Sequence, residues 1–542
     1  MIRRSAAQLW AALLVAGCCL AQNPAARMGQ IVESYASKKE FMGSVLVARS
    51  SDVLFSKGYG SANLEWDIPN SSTTKFRLGS ITKQFTAASI LLLEERGKLK
   101  IEDPVKKYMP DAPAAWDKIT IFHLLTHTSG IPSFTGLPDY ASLEPFPTTP
   151  EKLVARFRDK PLEFEPGTEW KYDNSGYVLL GYLIEKVSGE TYEKFLQENI
   201  FTPLGMKDSG YDSNSAVIGR RASGYTKQAD GTIVNAGFIH MSVPFAAGAL
   251  YSTTEDLLRW EQGLFGGKVL TEASLKKMTT PFKSDYAFGL QVRTVNGHRR
   301  IDHNGGIEGF NTALAYYPDD KITVVVLANL NGGSPDALMP LLGAVALGET
   351  VTLTTERKEI KLPASVLSQY VGTYALAPGV NIMMTLDGDQ LMTQLSGQPK
   401  FPVFAESETK FFLKVVDAQI EFGKDDKGPY VILHQGGRDQ KAPRSSAIVA
   451  EKKEIQVSPK ILSDYAGTYQ LRPGFDLVVT LEGEQLMAQA TGQPKFPIFA
   501  ESPTKFFLKV VDAEVEFFRD DKGAVTSLVL HQGPAELKGT RQ

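Results

Sequence analysis

Cysteine is almost missing from this sequence of 542 residues. The two that occur, Cys18 and Cys19, stand side by side near its start. A mature chain without that segment has no cysteine, which excludes an internal disulfide. Long apolar runs are missing as well, because none reaches the roughly 18 residues that a membrane-spanning helix needs.

An excess of positive charge is also lacking. The chain carries 58 Lys and Arg against 61 Asp and Glu, a net charge of −3. Nucleic-acid-binding proteins need clustered basic charge, so no nucleic-acid partner is predicted. With 43% apolar and 22% charged residues, the composition is that of a soluble globular protein. The length exceeds what one hydrophobic core supports, and it predicts two to four domains.

Residues 1–21 are predicted to be a signal peptide. Arg3 and Arg4 precede the short apolar stretch "LWAALLVAG", and small residues follow it. The stretch "LVAGC" fits the lipobox of bacterial lipoproteins, with Cys18 as the lipidated residue and lipid anchor. The alternative is cleavage after "CLA", which makes Gln22 the first residue. Both alternatives place the protein outside the cytoplasm, in the periplasm, secreted or anchored to a membrane.

A duplication occupies the C-terminal third of the chain. The stretch "TKFFLKVVDA" begins at Thr409 and again at Thr504, and the other repeated stretches share this offset of 95 residues. Between 364–428 and 459–523, 42 of 65 positions are identical. Solenoid repeats are only about 20–50 residues long. The longer period therefore predicts two copies of a whole domain, at 360–442 and 455–542.

Each copy is predicted to be β structure. The stretch "NIMMTLDGDQLMTQL" has two apolar runs around Asp387-Gly388, which is typical of a hairpin. Helical periodicity is absent from both copies. A small antiparallel barrel or sandwich is therefore expected for each.

Residues 22–352 differ from the two C-terminal copies, because predicted strands at both ends enclose predicted helices. They are predicted to form one α+β domain. A hairpin, "GSVLVARSSDVLFSKGYG", stands near its start, and another, "TALAYYPDDKITVVVLAN", near its end. Helices are expected at Thr82–Arg96 and around Tyr177–Val187. The sheet of this domain would therefore take strands from both ends of the segment.

The first candidate site is Ser80-Ile81-Thr82-Lys83, at the head of the first predicted helix. The i, i+3 spacing puts Lys83 on the same helical face as Ser80. A neutral amine there can accept the hydroxyl proton, provided that burial lowers the lysine pKa from about 10.4. The alternative is a serine that caps the helix, followed by a surface lysine.

The second candidate is Tyr172-Asp173-Asn174, in front of an apolar helix. Beside a cationic lysine the phenol could ionise in part and act as a general base. Asn174 could orient a substrate amide or Lys83. The alternative is an ordinary loop that enters a helix.

The third candidate is His303-Asn304-Gly305-Gly306, which leads into the late hairpin. Glycine lets a ligand approach the strand backbone closely. An N–H from this edge could join that of Ser80 in holding an oxyanion. The alternative is a glycine-rich turn with a surface histidine.

Taken together, these motifs resemble those of the serine β-lactamase and penicillin-binding protein superfamily. They follow its order, as Ser80-x-x-Lys83, Tyr172-x-Asn174 and His303-x-Gly305. The stretches "KLKIEDPVKKYMP", "ITIFHLLTHTSGI" and "AAGALYSTTEDLLRW" resemble the family too, over about residues 28–345. The resemblance implies an antiparallel sheet flanked by helices, a helical subdomain, and a site between them. The C-terminal copies resemble the lipocalin-like domains of some of the family's peptidases.

The resemblance also implies a serine hydrolase that works through an acyl-enzyme, with no cofactor and no metal. Ser80 would be acylated, Lys83 and Tyr172 would share the proton transfers, and Ser80 and Gly306 would supply the oxyanion N–H groups. One departure matters, because many members have lysine where this chain has His303. That lysine attracts a substrate carboxylate, whereas histidine is mostly neutral at pH 7. An esterase, a D-amino-acid peptidase or amidase, or a weak β-lactamase, acting on a small ester or peptide-like substrate, is therefore favoured over a strong β-lactamase.

The remaining signals are weaker. His123 and His127 are four apart, but no glutamate and no third ligand accompany them, so both are interpreted as structural. The stretch "PSFTGLPDYASLEPFPTTP" is either a lid over the cleft or a long surface loop. A second hypothesis, of a different class, is a non-catalytic binding or sensor protein on a hydrolase scaffold.

Overall fold

The computed structural model describes residues 23–228, 230–377, 379–435, 438–445, 454–472, 474–493, 495–508, 513–532 and 535–542. The predicted signal peptide, with Cys18, lies outside these residues. The chain forms two compact units, of which the first ends at Val351 and the second begins at Thr352. Among the described helices, none is both long and apolar enough to cross a bilayer. The predicted limits of the two C-terminal copies stay predictions.

A six-stranded antiparallel sheet forms the centre of the first unit. Its strands lie in the order Gln291–Val295, His298–Ile307, Phe310–Tyr317, Ile322–Ala328, Gly43–Arg49 and Asp52–Tyr59. The two predicted hairpins are present, and residues near both ends of the unit meet where Val47 pairs with Val324. The α+β class predicted from the sequence is confirmed.

Helices cover both faces of this sheet. The strand Ile322–Ala328 is buried along its whole length, as its continuous apolar sequence "ITVVVLA" requires. Helices Ser334–Leu347 and Thr254–Phe265 pack against it, and Pro24–Ala36 packs against the first of these.

A helical region completes the first unit. At its centre, helices Thr82–Glu95, Asn174–Ser188 and Phe245–Gly248 pack on one another. The other helices are Ile121–Leu125, Tyr140–Leu143, Pro150–Arg158, Tyr192–Leu196, Thr202–Leu204 and Glu272–Met278. Short strands join these parts, at Ser61–Asn63, Ile68–Pro69, Phe76–Arg77, Gly210–Tyr211, Tyr225–Lys227, Ile233–Asn235, Leu250–Ser252 and Leu330–Asn331.

The helix Asn174–Ser188 begins earlier than its apolar pattern predicts. The carboxylate of Asp173 caps it by accepting the N–H of Gly176. It ends at Gly189, whose φ of +77° is the left-handed conformation common after a helix. The cap therefore fixes the position of Asn174 at the first turn.

Glycines let the turn before the helix Thr82–Glu95 lie directly on the sheet. At Gly305 a Cβ atom would stand 2.0 Å from the carbonyl oxygen of Leu78 and 2.4 Å from Thr312 Oγ1. Gly79 has a φ of +55°, and a Cβ there would meet the Gly306 nitrogen at 2.8 Å. Only glycine fits at these positions, so the turn and the strand His298–Ile307 are held in contact.

The second unit is all β apart from short helices. The first copy has a four-stranded sheet and a five-stranded sheet, and the second copy is a closed eight-stranded barrel. Strands of the first copy are Gly372–Ala377, Val380–Asp387, Gln390–Leu395, Lys400–Pro402, Phe404–Ala405, Lys410–Phe412, Ala418–Asp425, Gly428–Gln435 and Arg438–Pro443. Strands of the second are Gly467–Arg472, Phe475–Glu482, Gln485–Ala490, Phe496–Ala500, Lys505–Leu508, Ala513–Arg519, Val525–Gln532 and Ala535–Arg541. The predicted all-β character is confirmed.

Each copy opens with a short helix that the sequence pattern did not predict, Ala364–Leu367 in the first and Pro459–Tyr465 in the second. One or two turns are too short to produce a recognisable 3.6-residue period. The tyrosine that follows or ends each helix stacks on a core phenylalanine, Tyr370 on Phe422 at 4.1 Å and Tyr465 on Phe517 at 4.3 Å between ring centres.

Replacing Gly305 by alanine is expected to destabilise the first unit by about 1–3 kcal/mol or more, because the new methyl group overlaps the Leu78 carbonyl. Guanidinium unfolding followed by tryptophan fluorescence measures this, since all five tryptophans precede residue 351. The control is Gly97→Ala, at φ +67° with no atom within 4 Å. That variant should lose only the backbone cost of about 1 kcal/mol. A loss at Gly305 no larger than at Gly97 would contradict the close packing.

Candidate active site

Ser80 lies in a short 3₁₀ turn, Gly79–Ile81, that runs directly into the helix Thr82–Glu95. The turn is pressed against the strand His298–Ile307, as described above. Lys83 follows one turn later on the same face and is completely buried. The i, i+3 spacing of Ser80 and Lys83 therefore brings the hydroxyl and the amine together, as predicted from the sequence.

The amine of Lys83 contacts three oxygen atoms. Its Nζ lies 2.9 Å from Ser80 Oγ, 2.9 Å from Asn174 Oδ1 and 2.9 Å from the carbonyl oxygen of Ala247. The amide and carbonyl oxygens can only accept, whereas a hydroxyl can donate or accept. A neutral amine can therefore give its two hydrogens to Asn174 and Ala247 and turn its lone pair toward the Ser80 hydroxyl.

Burial lowers the pKa of Lys83 to about 7, although attraction to Asp173 opposes the change. Removing an ammonium group from water disfavours its charged form. A substantial part of the Lys83 population is therefore a free base at neutral pH, as a proton acceptor for the Ser80 hydroxyl must be.

The ring of Tyr172 lies beside the Lys83 amine. Its ring centre lies 4.9 Å from Lys83 Nζ and 4.4 Å from the ring centre of His127. Burial raises the pKa of Tyr172, and a hydrogen bond with Ser80 lowers it only in part. The phenol is thus protonated at neutral pH, so the partial ionisation expected from the sequence is not favoured. Burial has the largest effect on this pKa, and the charge of Asp173 raises it as well.

Asn174 is held from three directions at the first turn of its helix. Its side chain accepts from Lys83 and donates from Nδ2 to Thr135 Oγ1 at 3.1 Å, and its backbone N–H donates to Ser133 Oγ at 3.1 Å. Ser133 and Thr135 belong to the proline- and aromatic-rich stretch after Ile131. That stretch therefore contributes to the wall of the site.

His303 is buried and carries no charge. Its Nδ1 donates to the carbonyl of Asn304 at 2.6 Å, which leaves Nε2 to accept from the hydroxyl of Tyr286 at 3.0 Å. Burial, with a smaller contribution from the charge of Lys83, lowers the pKa of His303 to about 3. His303 therefore offers no positive charge to a substrate carboxylate.

Two hollows meet at Ser80. The smaller, of about 80 Å³, is lined by residues of the helical region and by Ile307 and Glu308. The larger, of about 400 Å³, is lined by Tyr172, Tyr286, Trp170, Gln291, His303, Asn304, Gly305 and Asn311. Ser80 and Gly306 line both. All seven predicted site residues therefore lie at or beside one cleft.

Some contributing residues were not predicted. The carbonyl of Ala247 gives no sequence signal, because any residue type supplies one. Tyr286 belongs to no motif that the sequence analysis singled out, and Ser133 and Thr135 lie in a stretch predicted only as a candidate lid. None of these positions has a spacing pattern from which its contact could be inferred.

His123 and His127 have structural positions. The ring of His123 takes part in the N-cap of the helix Ile121–Leu125, together with Thr120. His127 is fully buried, with Nδ1 3.3 Å from Asp173 Oδ2. Within the described part of the chain, no cluster of three or more His, Cys, Asp or Glu residues has an arrangement suited to a metal ion.

Comparison with known proteins agrees with the fold of the first unit and identifies its family. Residues 30–347 match the sequence model of the family described as Beta-lactamase. Residues 356–441 and 451–541 each match a domain of unknown function, DUF3471. Penicillin-binding protein 4* of Bacillus subtilis (strain 168) is 30% identical over 452 residues, which are 78% of this chain and 99% of that protein.

Two solved structures are also similar. The octameric penicillin-binding protein homologue from Pyrococcus abyssi is 28% identical, with a TM-score of 0.56 over 77% of this chain and 99% of that one. The D-stereospecific amidohydrolase from Streptomyces sp. is 27% identical, with a TM-score of 0.50 over 56% of this chain and 94% of that one.

Replacing Lys83 by methionine should change how stability depends on pH. The unfolded lysine holds its proton up to about pH 10.4, whereas the folded one releases it near 7. Between these values the wild type gains unfolding free energy relative to Lys83→Met as pH rises, by at most about 1.4 kcal/mol per pH unit. Below pH 7 the difference in unfolding free energy between the wild type and Lys83→Met should not change with pH.

Tryptophan-monitored guanidinium unfolding from pH 6 to 10.5 measures this difference. The matched control is Lys98→Met, at an exposed position beyond the end of the same helix, which should give no slope. A flat difference for Lys83→Met would show that the folded lysine keeps its ordinary pKa.

Proposed function

We propose that this chain, which belongs to the beta-lactamase family, is a serine hydrolase that cleaves an ester or amide bond of a small substrate through an acyl-enzyme on Ser80. The observation that carries the proposal is the buried amine of Lys83, 2.9 Å from Ser80 Oγ and with a pKa lowered to about 7. A nucleophile hydrogen-bonded to a base that is free at neutral pH is what acyl transfer requires.

In the first step Ser80 Oγ attacks the substrate carbonyl while its proton passes to Lys83 Nζ. The carbonyl π bond opens, and its oxygen takes the negative charge. The N–H groups of Ser80 and Gly306, the two residues that line both hollows, would hold this oxyanion. Asn174 keeps Lys83 in place and can also face the substrate's acyl part.

In the second step the bond from the carbonyl carbon to the leaving group breaks. Tyr172 is protonated at neutral pH and is in contact with Ser80, so it gives its proton to the leaving atom. The Lys83 ammonium then restores the proton of Tyr172. In deacylation a water molecule gives a proton to the free amine and attacks the acyl carbonyl, and Ser80 Oγ recovers a proton from Lys83.

The neutral state of His303 supports the substrate class that its position in the sequence suggested. A site without a cation at this position has no attraction for the carboxylate of a penicillin-type substrate. We therefore propose an esterase or a peptidase or amidase in preference to a strong β-lactamase. On the strength of the N-terminal segment, we also propose that it acts outside the cytoplasm, with Cys18 as the candidate lipid anchor.

Replacing Ser80 by alanine should abolish labelling by a fluorophosphonate probe, because no oxygen remains to form the bond. Intact mass measures the adduct. The matched control is Ser365→Ala, at an exposed position in the second unit, which should label like the wild type.

Labelling that persists in Ser80→Ala would place the nucleophile elsewhere. A wild type that forms no adduct and turns over no p-nitrophenyl ester would favour a binding or sensor protein on this scaffold.

Replacing Tyr172 by phenylalanine should slow amide substrates more than activated esters. An amine leaving group needs a proton before it departs, whereas p-nitrophenolate does not. The measurement is kcat/KM for a matched p-nitrophenyl ester and alkyl amide, and we expect the ester-to-amide ratio to rise about tenfold or more. An equal loss on both substrates would assign Tyr172 to positioning rather than to protonation of the leaving group.

A further inference from the structure

Tyr172 lies on a stretch of irregular chain. Residues 169–173 connect the turn at 166–168 to the helix Asn174–Ser188, whose first turn Asp173 caps. A residue that donates a proton must stay within about 2.6–3.2 Å of the atom that receives it. The proposed reaction therefore needs contacts from elsewhere in the fold that fix Tyr172 relative to Ser80.

His127 holds this stretch on both sides of Tyr172. Its carbonyl oxygen accepts the N–H of Lys171 at 3.0 Å. Its ring nitrogen Nδ1 lies 3.3 Å from the backbone nitrogen of Asp173 and 3.3 Å from Asp173 Oδ2. Either tautomer of the imidazole can therefore form one hydrogen bond with Asp173. One residue thus binds both chain neighbours of Tyr172.

The ring of His127 also supports the ring of Tyr172. Their centres are 4.4 Å apart, and the ring planes are inclined at 44°. Two further rings, those of Tyr177 and Tyr286, have their centres 5.1 and 4.7 Å from the imidazole. The imidazole is fully buried in this group of rings. Because such interiors are close-packed, a change in the His127 ring is transmitted to Tyr172.

The backbone of His127 has a conformation that its surroundings must maintain. Its φ of +55° is left-handed, which is uncommon for a residue other than glycine and costs free energy. Residues in such conformations persist where the surrounding structure holds them, and they concentrate at functional sites. In this conformation the carbonyl and the ring of His127 both reach the stretch that carries Tyr172.

His127 does not take part in the proton transfers itself. Burial lowers its pKa, although Asp173 opposes the change, so the ring is uncharged at neutral pH. Among the described residues that line the two hollows, His127 does not occur. Its Nε2 is shielded from solvent and has no hydrogen-bond partner in the described part of the chain. His127 therefore has no contact through which it could exchange a proton with a substrate.

We propose that His127 is the positioning residue of Tyr172, and that it holds the phenol where its proton can reach the leaving atom of a substrate bound at Ser80. The two hydrogen bonds fix the chain on either side of Tyr172, and the imidazole fixes the direction of the phenol ring. This inference rests on the proposed function, because it concerns the proton that Tyr172 gives to the leaving group.

Replacing His127 by asparagine tests the proposal. Asparagine tolerates the left-handed backbone and offers an amide to Asp173, but it removes the ring beside Tyr172. With a p-nitrophenyl ester and an alkyl amide of one acyl group, the ester-to-amide ratio of kcat/KM should rise about tenfold, since small displacements of a reacting group are costly. If amide turnover is too slow, the ethyl ester replaces the amide, because ethoxide also needs a proton to depart.

A double-mutant cycle separates positioning from a general loss of structure. In the Tyr172→Phe background, His127→Asn should change the ester-to-amide ratio by less than about twofold, because the proton that His127 serves is already missing. A merely structural role would lower kcat/KM for both substrates alike and would add to the effect of Tyr172→Phe. Guanidinium unfolding of each variant shows how much stability is lost in either background.

His123→Asn is the matched control. His123 stands four residues earlier and takes part in a helix cap, so its loss should cost stability but leave the ester-to-amide ratio at the wild-type value. A second variant, His127→Phe, keeps a ring beside Tyr172 and removes the nitrogen that faces Asp173. It should raise the ratio about threefold or more, and it serves as the test if His127→Asn does not fold.

A wild-type ratio in the folded His127 variants, or a further rise of the ratio in the Tyr172→Phe background, would overturn the inference. If Tyr172→Phe alone leaves the ratio unchanged, His127 has no proton donor to position and the inference also falls. The proposed function can still stand in these cases, because Ser80 of the wild type would be labelled by the fluorophosphonate. A wild type without that adduct would mean that the proposed function itself has failed.

Discussion

The site depends on one buried amine, that of Lys83, which forms no ion pair within the described part of the chain. The closest charge influence on Lys83 is Asp173, which raises its pKa but less than burial lowers it. The Asp173 carboxylate is already engaged, because it caps the helix Asn174–Ser188 and contacts His127. Lys83 is thus satisfied by hydrogen bonds that its amine donates to neutral oxygens, such as Asn174 Oδ1 and the Ala247 carbonyl, rather than by an ion pair. Because its partners are neutral oxygens, the amine remains available as a base near pH 7.

Close backbone contacts make this arrangement stable. A Cβ at Gly289 would stand 2.6 Å from the carbonyl oxygen of Lys83, and one at Gly305 would stand 2.0 Å from that of Leu78. The turn before the helix and the helix itself are therefore fixed to neighbouring backbone at both ends of the Ser80–Lys83 pair. Such contacts fix the nucleophile more firmly than flexible side chains could, which acyl transfer requires because reacting atoms must stay within a narrow range of positions.

The sequence predicts what depends on residue type and spacing. The hairpins, the sheet built from both ends of the unit, and the pairing of Ser80 with Lys83 all follow from period and position. It does not predict the contribution of Ala247, because a carbonyl is common to all residues. Nor does it predict the protonation of Tyr172, since the outcome depends on how deeply each group is buried.

The charge state of the cleft links these findings to substrate choice. Burial keeps Tyr172 protonated and His303 neutral at neutral pH, and it lowers the pKa of Lys83 to about 7. The groups around Ser80 thus act through dipoles and proton exchange, and they do not discriminate strongly between substrates by charge. Among the described residues that line the two hollows, Glu308 alone has a carboxyl group, so it is the one lining side chain able to distinguish substrates by a formal charge.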